Sequence, residues 1–144
     1  MENPEKVIYK NQILAIIIYS SFSKDGISFF TEDDYSQQLG YMNRKSGYII
    51  PPHRHNVVKR EIRLTQEVLF IKSGKLRVDF YNESQIYISS KILNTGDVIL
   101  LASGGHGFEM LEDTQIIEVK QGPYIGENDK IRFNQIDSQN IKIV

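Results

Sequence analysis

The 144-residue chain contains no cysteine, which excludes disulfides and thiolate chemistry. Neither charge dominates: 17 basic residues stand against 18 acidic ones. Without a broad field of one sign, neither nucleic acid nor an anionic membrane surface is expected as a partner. Long hydrophobic runs are missing too, and the apolar stretch 13–19 is far too short to span a bilayer. The opening Met-Glu-Asn-Pro-Glu-Lys lacks the shape of a signal peptide, so a cytoplasmic location is expected. No repeat, low-complexity tract, linker or long amphipathic helix interrupts the pattern. One domain over residues 1–144 is expected, large enough for a real core.

What is present reads as short strands. Runs rich in Ile, Val, Tyr and Phe recur with turn residues between them, at 13–20, 27–31, 39–44, 48–50, 68–73, 75–81, 85–93, 97–101, 108–111 and 114–121. Ser73-Gly74-Lys75 looks like a tight hairpin turn, because glycine readily takes a positive φ. Asn94-Thr95-Gly96-Asp97 and Ser103-Gly104-Gly105 are two further turns. Residues 75–81 alternate, with Leu76, Val78 and Phe80 on one face and Arg77, Asp79 and Tyr81 on the other, which predicts a half-buried strand. Residues 31–38 (TEDDYSQQ) begin with an N-cap followed by acids, so one helical turn is expected there. The stretch 124–144 is polar and irregular, either a trailing strand or an arm reaching a neighbour. Many short antiparallel strands favour a sandwich or barrel.

The three histidines concentrate the chemical interest. His53 and His55 are one residue apart, and His106 is the remaining one. On a strand, residues i and i+2 share a face, so two imidazoles can aim at one point. Imidazole is the commonest transition-metal ligand near neutral pH. The plainer alternative is a surface loop after Pro51-Pro52. That proline pair stiffens the approach to His53 in either case.

Gly47-x5-His53-x-His55, then Glu67-x6-Gly74, resembles the first motif of the cupin superfamily. Gly96-Asp97 followed by Gly104 and His106 resembles the second. The motif core covers 47–106, with N-terminal strands in 7–44 and a C-terminal arm in 122–144. The resemblance implies an all-β fold of the double-stranded β-helix or jelly-roll kind. It further implies a divalent transition metal (Fe, Mn, Ni, Co, Cu or Zn) held by His53, His55, Glu67 and His106. Such a donor set leaves positions open for water or substrate. Two departures stand out. Eleven residues separate His55 from Glu67, many more than the family pattern has, and Glu61 is a rival carboxylate with five residues intervening. In the second motif Ala102 stands where the family has proline, and the spacing to His106 is slightly short.

Other pocket candidates are Tyr48, Phe108, Glu118 and Lys120. Phe108 and Met110 share the side of His106 if their strand stays regular. Glu118 and Lys120 share one face of a strand whose other face carries Ile117 and Val119. If that face is interior they are functional, because idle buried charge is costly; if it meets solvent they are an ordinary exposed pair. Arg44, Lys59 and Arg63 are candidates for a mouth that meets an anionic substrate. Glu67 pointing inward puts Leu69 and Ile71 inside and leaves Val68 and Phe70 on an apolar outer face. That face, and the doubly apolar run 13–19, are consistent with the homodimer that the resemblance implies.

Fold does not select function. The stretches HRHN, GDVILLASGGHGFEM and VKQGPY resemble cupins associated with bacterial surface-polysaccharide pathways, which implies a sugar or nucleotide-sugar ligand. The leading expectation is a metal-dependent protein, such as an isomerase or epimerase, acting on that small polar molecule. An Fe(II)-dependent dioxygenase and a non-catalytic sugar-binding module are the alternatives.

Overall fold

In the computed structural model of this chain, residues 3–144 are described; the first two residues of the N-terminal stretch discussed above lie outside them. Ten strands follow one another among these residues: β1 (Glu5–Tyr9), β2 (Gln12–Ile18), β3 (Gly26–Phe29), β4 (Gly40–Asn43), β5 (Glu67–Ser73), β6 (Lys75–Tyr81), β7 (Tyr87–Asn94), β8 (Val98–Leu101), β9 (Gly105–Met110) and β10 (Gln115–Lys120). They form a five-stranded sheet in the order β1-β2-β8-β5-β10, a three-stranded sheet β7-β6-β9 and a ribbon β3-β4. Every strand pairing within these sheets is antiparallel.

The core lies between the two larger sheets. Leu14, Leu69, Ile71, Ile99 and Leu101 from one meet Leu76, Val78, Phe80 and Leu93 from the other. Burying each such side chain is worth roughly 1.5–3 kcal/mol, so this layer dominates stability. The second face of the five-stranded sheet is covered by the ribbon and its flanks, where Ile16, Ile18 and Leu100 pack on Phe22 and Leu39. Phe22 meets Phe30 and Tyr41 edge-on, with centroids 5.6 and 4.9 Å apart. This explains why the run 13–19 is apolar on both faces: its own chain covers both. Val68 is likewise packed in that second cluster, whereas Phe70 stays 39 % exposed.

Several expectations require correction. Gly74 does adopt positive φ (96°), but β5 and β6 do not pair. The turn is a corner at which the chain leaves one sheet for the other. The turns at Gly96 and Gly104 do the same, carrying β7 to β8 and β8 to β9 across the core. Asp97 secures the second corner: its buried carboxylate accepts Ser20 N–H at 2.8 Å and Asn94 N–H at 2.7 Å. β6 is buried on both faces, not one. Its second face meets the C-terminal arm, where Phe133 meets Tyr81 edge-on (5.0 Å) and the Tyr81 hydroxyl accepts Ile136 N–H.

That arm forms no strand of its own; its end is fastened to β7 by the isolated β-bridge Ser90–Ile143. It also holds two 3-10 turns, Glu127–Asp129 and Ser138–Asn140. The helical turn expected at 31–38 is absent; bends held by Gln38, whose amide donates to the Glu32 and Tyr35 carbonyls, replace it. A strand at 48–50 is absent as well. β1 overlaps the N-terminal strand region but stands apart from the apolar runs, because Lys10-Asn11 reverses the chain without glycine, at φ of 46° and 66°.

Candidate functional site

One end of the space between the two larger sheets opens as a cleft of about 730 Å³. Strand alternation decides what faces it. On β5, Glu67 is in phase with buried Leu69 and Ile71, so it points inward at the cleft end. Register then sets Lys120 of β10 directly opposite Glu67, with Glu118 opposite Leu69. On the other sheet β9 aligns His106 with Phe80 and Phe108 with Val78, both inward-facing. Glu67, His106, Phe108, Glu118 and Lys120 therefore line one cleft; Glu118 and Lys120 face it from β10 while staying exposed to solvent and paired with each other.

The contacts are specific. His106 Nε2 lies 3.2 Å from Glu67 Oε2, and Lys120 Nζ lies 3.6 Å from Glu67 Oε1. Lys120 also reaches Glu118 Oε1 at 3.7 Å. Glu67 is only 7 % exposed, although it carries a charge. The hydrogen bond with His106 holds its carboxyl below the ordinary range; burial opposes this, and the charges of Lys120 and Lys130 reinforce it. Lys120 is pushed above its ordinary value by Glu118 first and by Glu67 next. The ring of Phe108 stands 5.4 Å from that of His106.

The C-terminal arm supplies a wall that the sequence did not announce. Asp129, Lys130, Arg132, Phe133 and Gln135 line the cleft, and Asp129 accepts the Thr65 hydroxyl at 2.7 Å. No local signal marks these residues, because a polar irregular tail reveals its role only once it docks.

Of the remaining sequence candidates, Arg63 borders the cleft; the others lie elsewhere. His53 and His55 are on an exposed segment, residues 44–65, that forms no strand. Their rings remain neighbours, 5.3 Å apart and edge-on, and His53 Nδ1 is 3.0 Å from the Pro51 carbonyl. Tyr48, more than half exposed, lies under the Arg44 guanidinium at 4.4 Å, outside the cleft. Glu61 pairs with Arg63 at 3.4 Å, so Glu67 is the carboxylate beside His106.

As a metal site this is half complete. Two donor atoms each about 2.1 Å from one ion stand roughly 3.0–3.4 Å apart, and the His106–Glu67 separation falls in that interval. Yet no three ligating side chains converge among the described residues. Three protein ligands are the usual minimum for a catalytic zinc site. Within one chain, then, the residues do not fit the metal that the resemblance implies.

The fold and cleft together define an all-β protein with a charged, aromatic-walled recess between two sheets. Comparison with family models, curated proteins and solved structures found no match.

Proposed function

We propose that the cleft binds a small polar ligand of the sugar or nucleotide-sugar class, on a scaffold of the cupin, double-stranded β-helix kind. The observation that carries this reading is the buried charge of Glu67, held between His106 and Lys120 at the foot of an open recess. Charge is costly to bury, and a buried carboxylate held in its charged form by specific partners at a cleft is a candidate for function. The volume is in the range of small-molecule sites. Glu67 and Glu118 offer acceptors to hydroxyl groups, and Phe108 and Phe133 offer apolar walls to the face of a ring. Lys120, Lys130 and Arg132 supply the cations that a sugar carboxylate or a diphosphate requires. His106 beside Glu67 is also placed to hold or pass a proton at Nε2, which extends binding toward acid–base chemistry on a sugar carbon or hydroxyl.

A panel of nucleotide-sugars, the parent nucleotides and free sugars tests this by thermal shift and calorimetry. At least one nucleotide-sugar is expected to stabilise the protein more than its nucleotide alone. Lys120→Ala is expected to weaken that binding about tenfold, the loss of one charge-assisted contact. A panel without any stabilising member, or equal binding by Lys120→Ala, overturns the proposal.

A further inference from the structure

Charge that balances over the whole chain is unevenly placed along it. Residues 44–60, which lead out of β4, carry five basic side chains (Arg44, Lys45, Arg54, Lys59 and Arg60) and no acidic one. The rest of the chain holds twelve basic residues against eighteen acidic ones. Whole-chain balance, which gives no reason to expect a membrane surface as partner, thus conceals a cationic segment on an anionic body.

The segment is apolar as well as cationic, and every residue in it is exposed. Among the described residues its hydrogen bonds and ring contacts stay within it. Tyr48 N–H donates to the Lys45 carbonyl, His53 meets Pro51 and His55, and Arg44 lies over Tyr48. Beyond residue 60 the chain returns to the body, where Arg63 and Leu64 border the cleft and the Thr65 hydroxyl donates to Asp129. Between the cations stand Ile49, 78 % exposed, Ile50, Val58 and the completely exposed Val57. The outer face of the neighbouring β3–β4 ribbon continues the pattern. Alternation turns Tyr41 inward onto Phe22 and leaves Ile27, Phe29 and Met42 outside, each roughly half exposed. Ile27 and Met42 are cross-strand partners, and the Arg44 guanidinium lies beside Gly26 at the same end of the ribbon. Exposed apolar side chains gathered in this way mark an interaction surface.

We propose that residues 44–60, with the outer face of the β3–β4 ribbon, dock the protein on a bilayer surface rich in anionic headgroups. The five cations meet the headgroups, and Ile49, Ile50, Val57 and Val58 enter the boundary with the acyl chains. Tyr48 is of the type that settles at such an interface. The backbone of the segment, largely without internal hydrogen bonds, stays at headgroup depth, where water still reaches it. Two observations favour a bilayer over other anionic partners. A nucleic acid would use the cations but would leave the aliphatic side chains without a partner, since its strands are gripped by charge and by aromatic stacking. A folded protein would need a shaped apolar face to fit, whereas Val57 projects clear of its neighbours and a bilayer demands no shape match. The inference is independent of what the cleft binds.

Co-sedimentation of the full chain with vesicles tests this. Wild type is expected to bind vesicles of phosphatidylcholine and phosphatidylserine, about two to one, and to bind phosphatidylcholine alone at least about tenfold more weakly. Added salt is expected to weaken the anionic binding. Arg54→Gln/Lys59→Gln/Arg60→Gln is expected to lose about a hundredfold, since each cation near such a surface contributes roughly a factor of five. Ile49→Ser/Val57→Ser keeps every charge and is expected to lose at least about tenfold. All five positions are exposed, and circular dichroism checks that the variants keep their β-sheet. The chain has no tryptophan, so Val57→Trp reports insertion directly. Its emission is expected to shift to the blue on anionic vesicles, whereas that of Ile86→Trp, on the turn between β6 and β7, is expected to stay put. Equal binding to both vesicle types, unchanged binding by Ile49→Ser/Val57→Ser, or equal shifts at positions 57 and 86 overturns the proposal. So does a wild type that ignores anionic vesicles. In that event a DNA oligonucleotide bound instead assigns the cations to nucleic acid, and a dimer dissolved by Ile49→Ser/Val57→Ser in light scattering assigns the surface to a second copy.

Discussion

The least forgiving residues lie away from the cleft. Arg77 and Asp79, both on β6 and both over nine-tenths buried, form a two-pronged pair through Nε (2.7 Å) and Nη2 (3.0 Å). Ser90 donates a further hydrogen bond to the same carboxylate, and Arg77 reaches outward to Glu109 at 2.6 Å. Removing one partner of such a pair strands a buried charge. Arg77→Ala is therefore expected to destabilise the protein by about 3 kcal/mol, read as a lowered urea midpoint; a loss below about 1 kcal/mol would show that Asp79 finds other solvation. Glu5 makes a different kind of link, from β1 to Lys91 on β7, with the Tyr19 hydroxyl donating at 2.6 Å. Burial alone would raise its carboxyl, but the hydrogen bonds from Lys91 and Tyr19 outweigh it and hold it below 4.5. A carboxyl with a lowered folded pKa stabilises the fold above its unfolded value, and that gain is lost as pH falls through the folded one. The difference in urea midpoint between wild type and Glu5→Gln is thus expected at pH 7 and expected to shrink only once pH falls below the ordinary carboxyl value of 4.5. A difference independent of pH would refute the link. Alternation correctly puts Arg77 and Asp79 on one face of β6, but nothing in their neighbourhood says that a distant C-terminal arm buries that face.

Among elements, the corners matter most. Gly74 turns the chain from one sheet to the other at φ 96°, and a Cβ there would sit 2.3 Å from the Asp113 carbonyl oxygen. Left-handed backbone costs an ordinary residue roughly 1–2 kcal/mol, and the collision with main chain adds to it. Gly74→Ala is expected to cost at least about 2 kcal/mol in chemical denaturation, whereas Gly47→Ala, where a Cβ meets nothing, carries the conformational cost alone. Equal losses at the two positions would show that the Asp113 contact is unimportant. Strand positions were largely legible, since β2 through β8 excluding the loops fall within one or two residues of the apolar runs. Which strands pair was not legible: a glycine turn looks the same whether it closes a hairpin or crosses a core.

At the scale of the whole molecule, the cleft exists because two sheets face each other and diverge at one end. Glu67 and His106 come from different sheets, thirty-nine positions apart, and meet only because both are in phase with the core. The same packing leaves one edge of β9 and one edge of β10 without a strand partner, and brings Arg63, Leu64 and Thr65 to the cleft while His53 and His55 stay away from it. The nucleotide-sugar panel belongs to this scale, since it asks whether a recess walled by both sheets and the C-terminal arm takes a ligand.

The sequence by itself determined an all-β chain and the inward phase of Glu67, Leu69 and Ile71, which follow from two-residue alternation, and the nearness of His53 to His55, which follows from their spacing alone. Tertiary structure alone decided that Lys120, Phe108 and the C-terminal arm wall one recess with the Glu67–His106 pair, and that the two remaining histidines stand apart from it within the chain. Those are outcomes of long-range register and of which surfaces can be covered, and no local stretch of sequence carries that information.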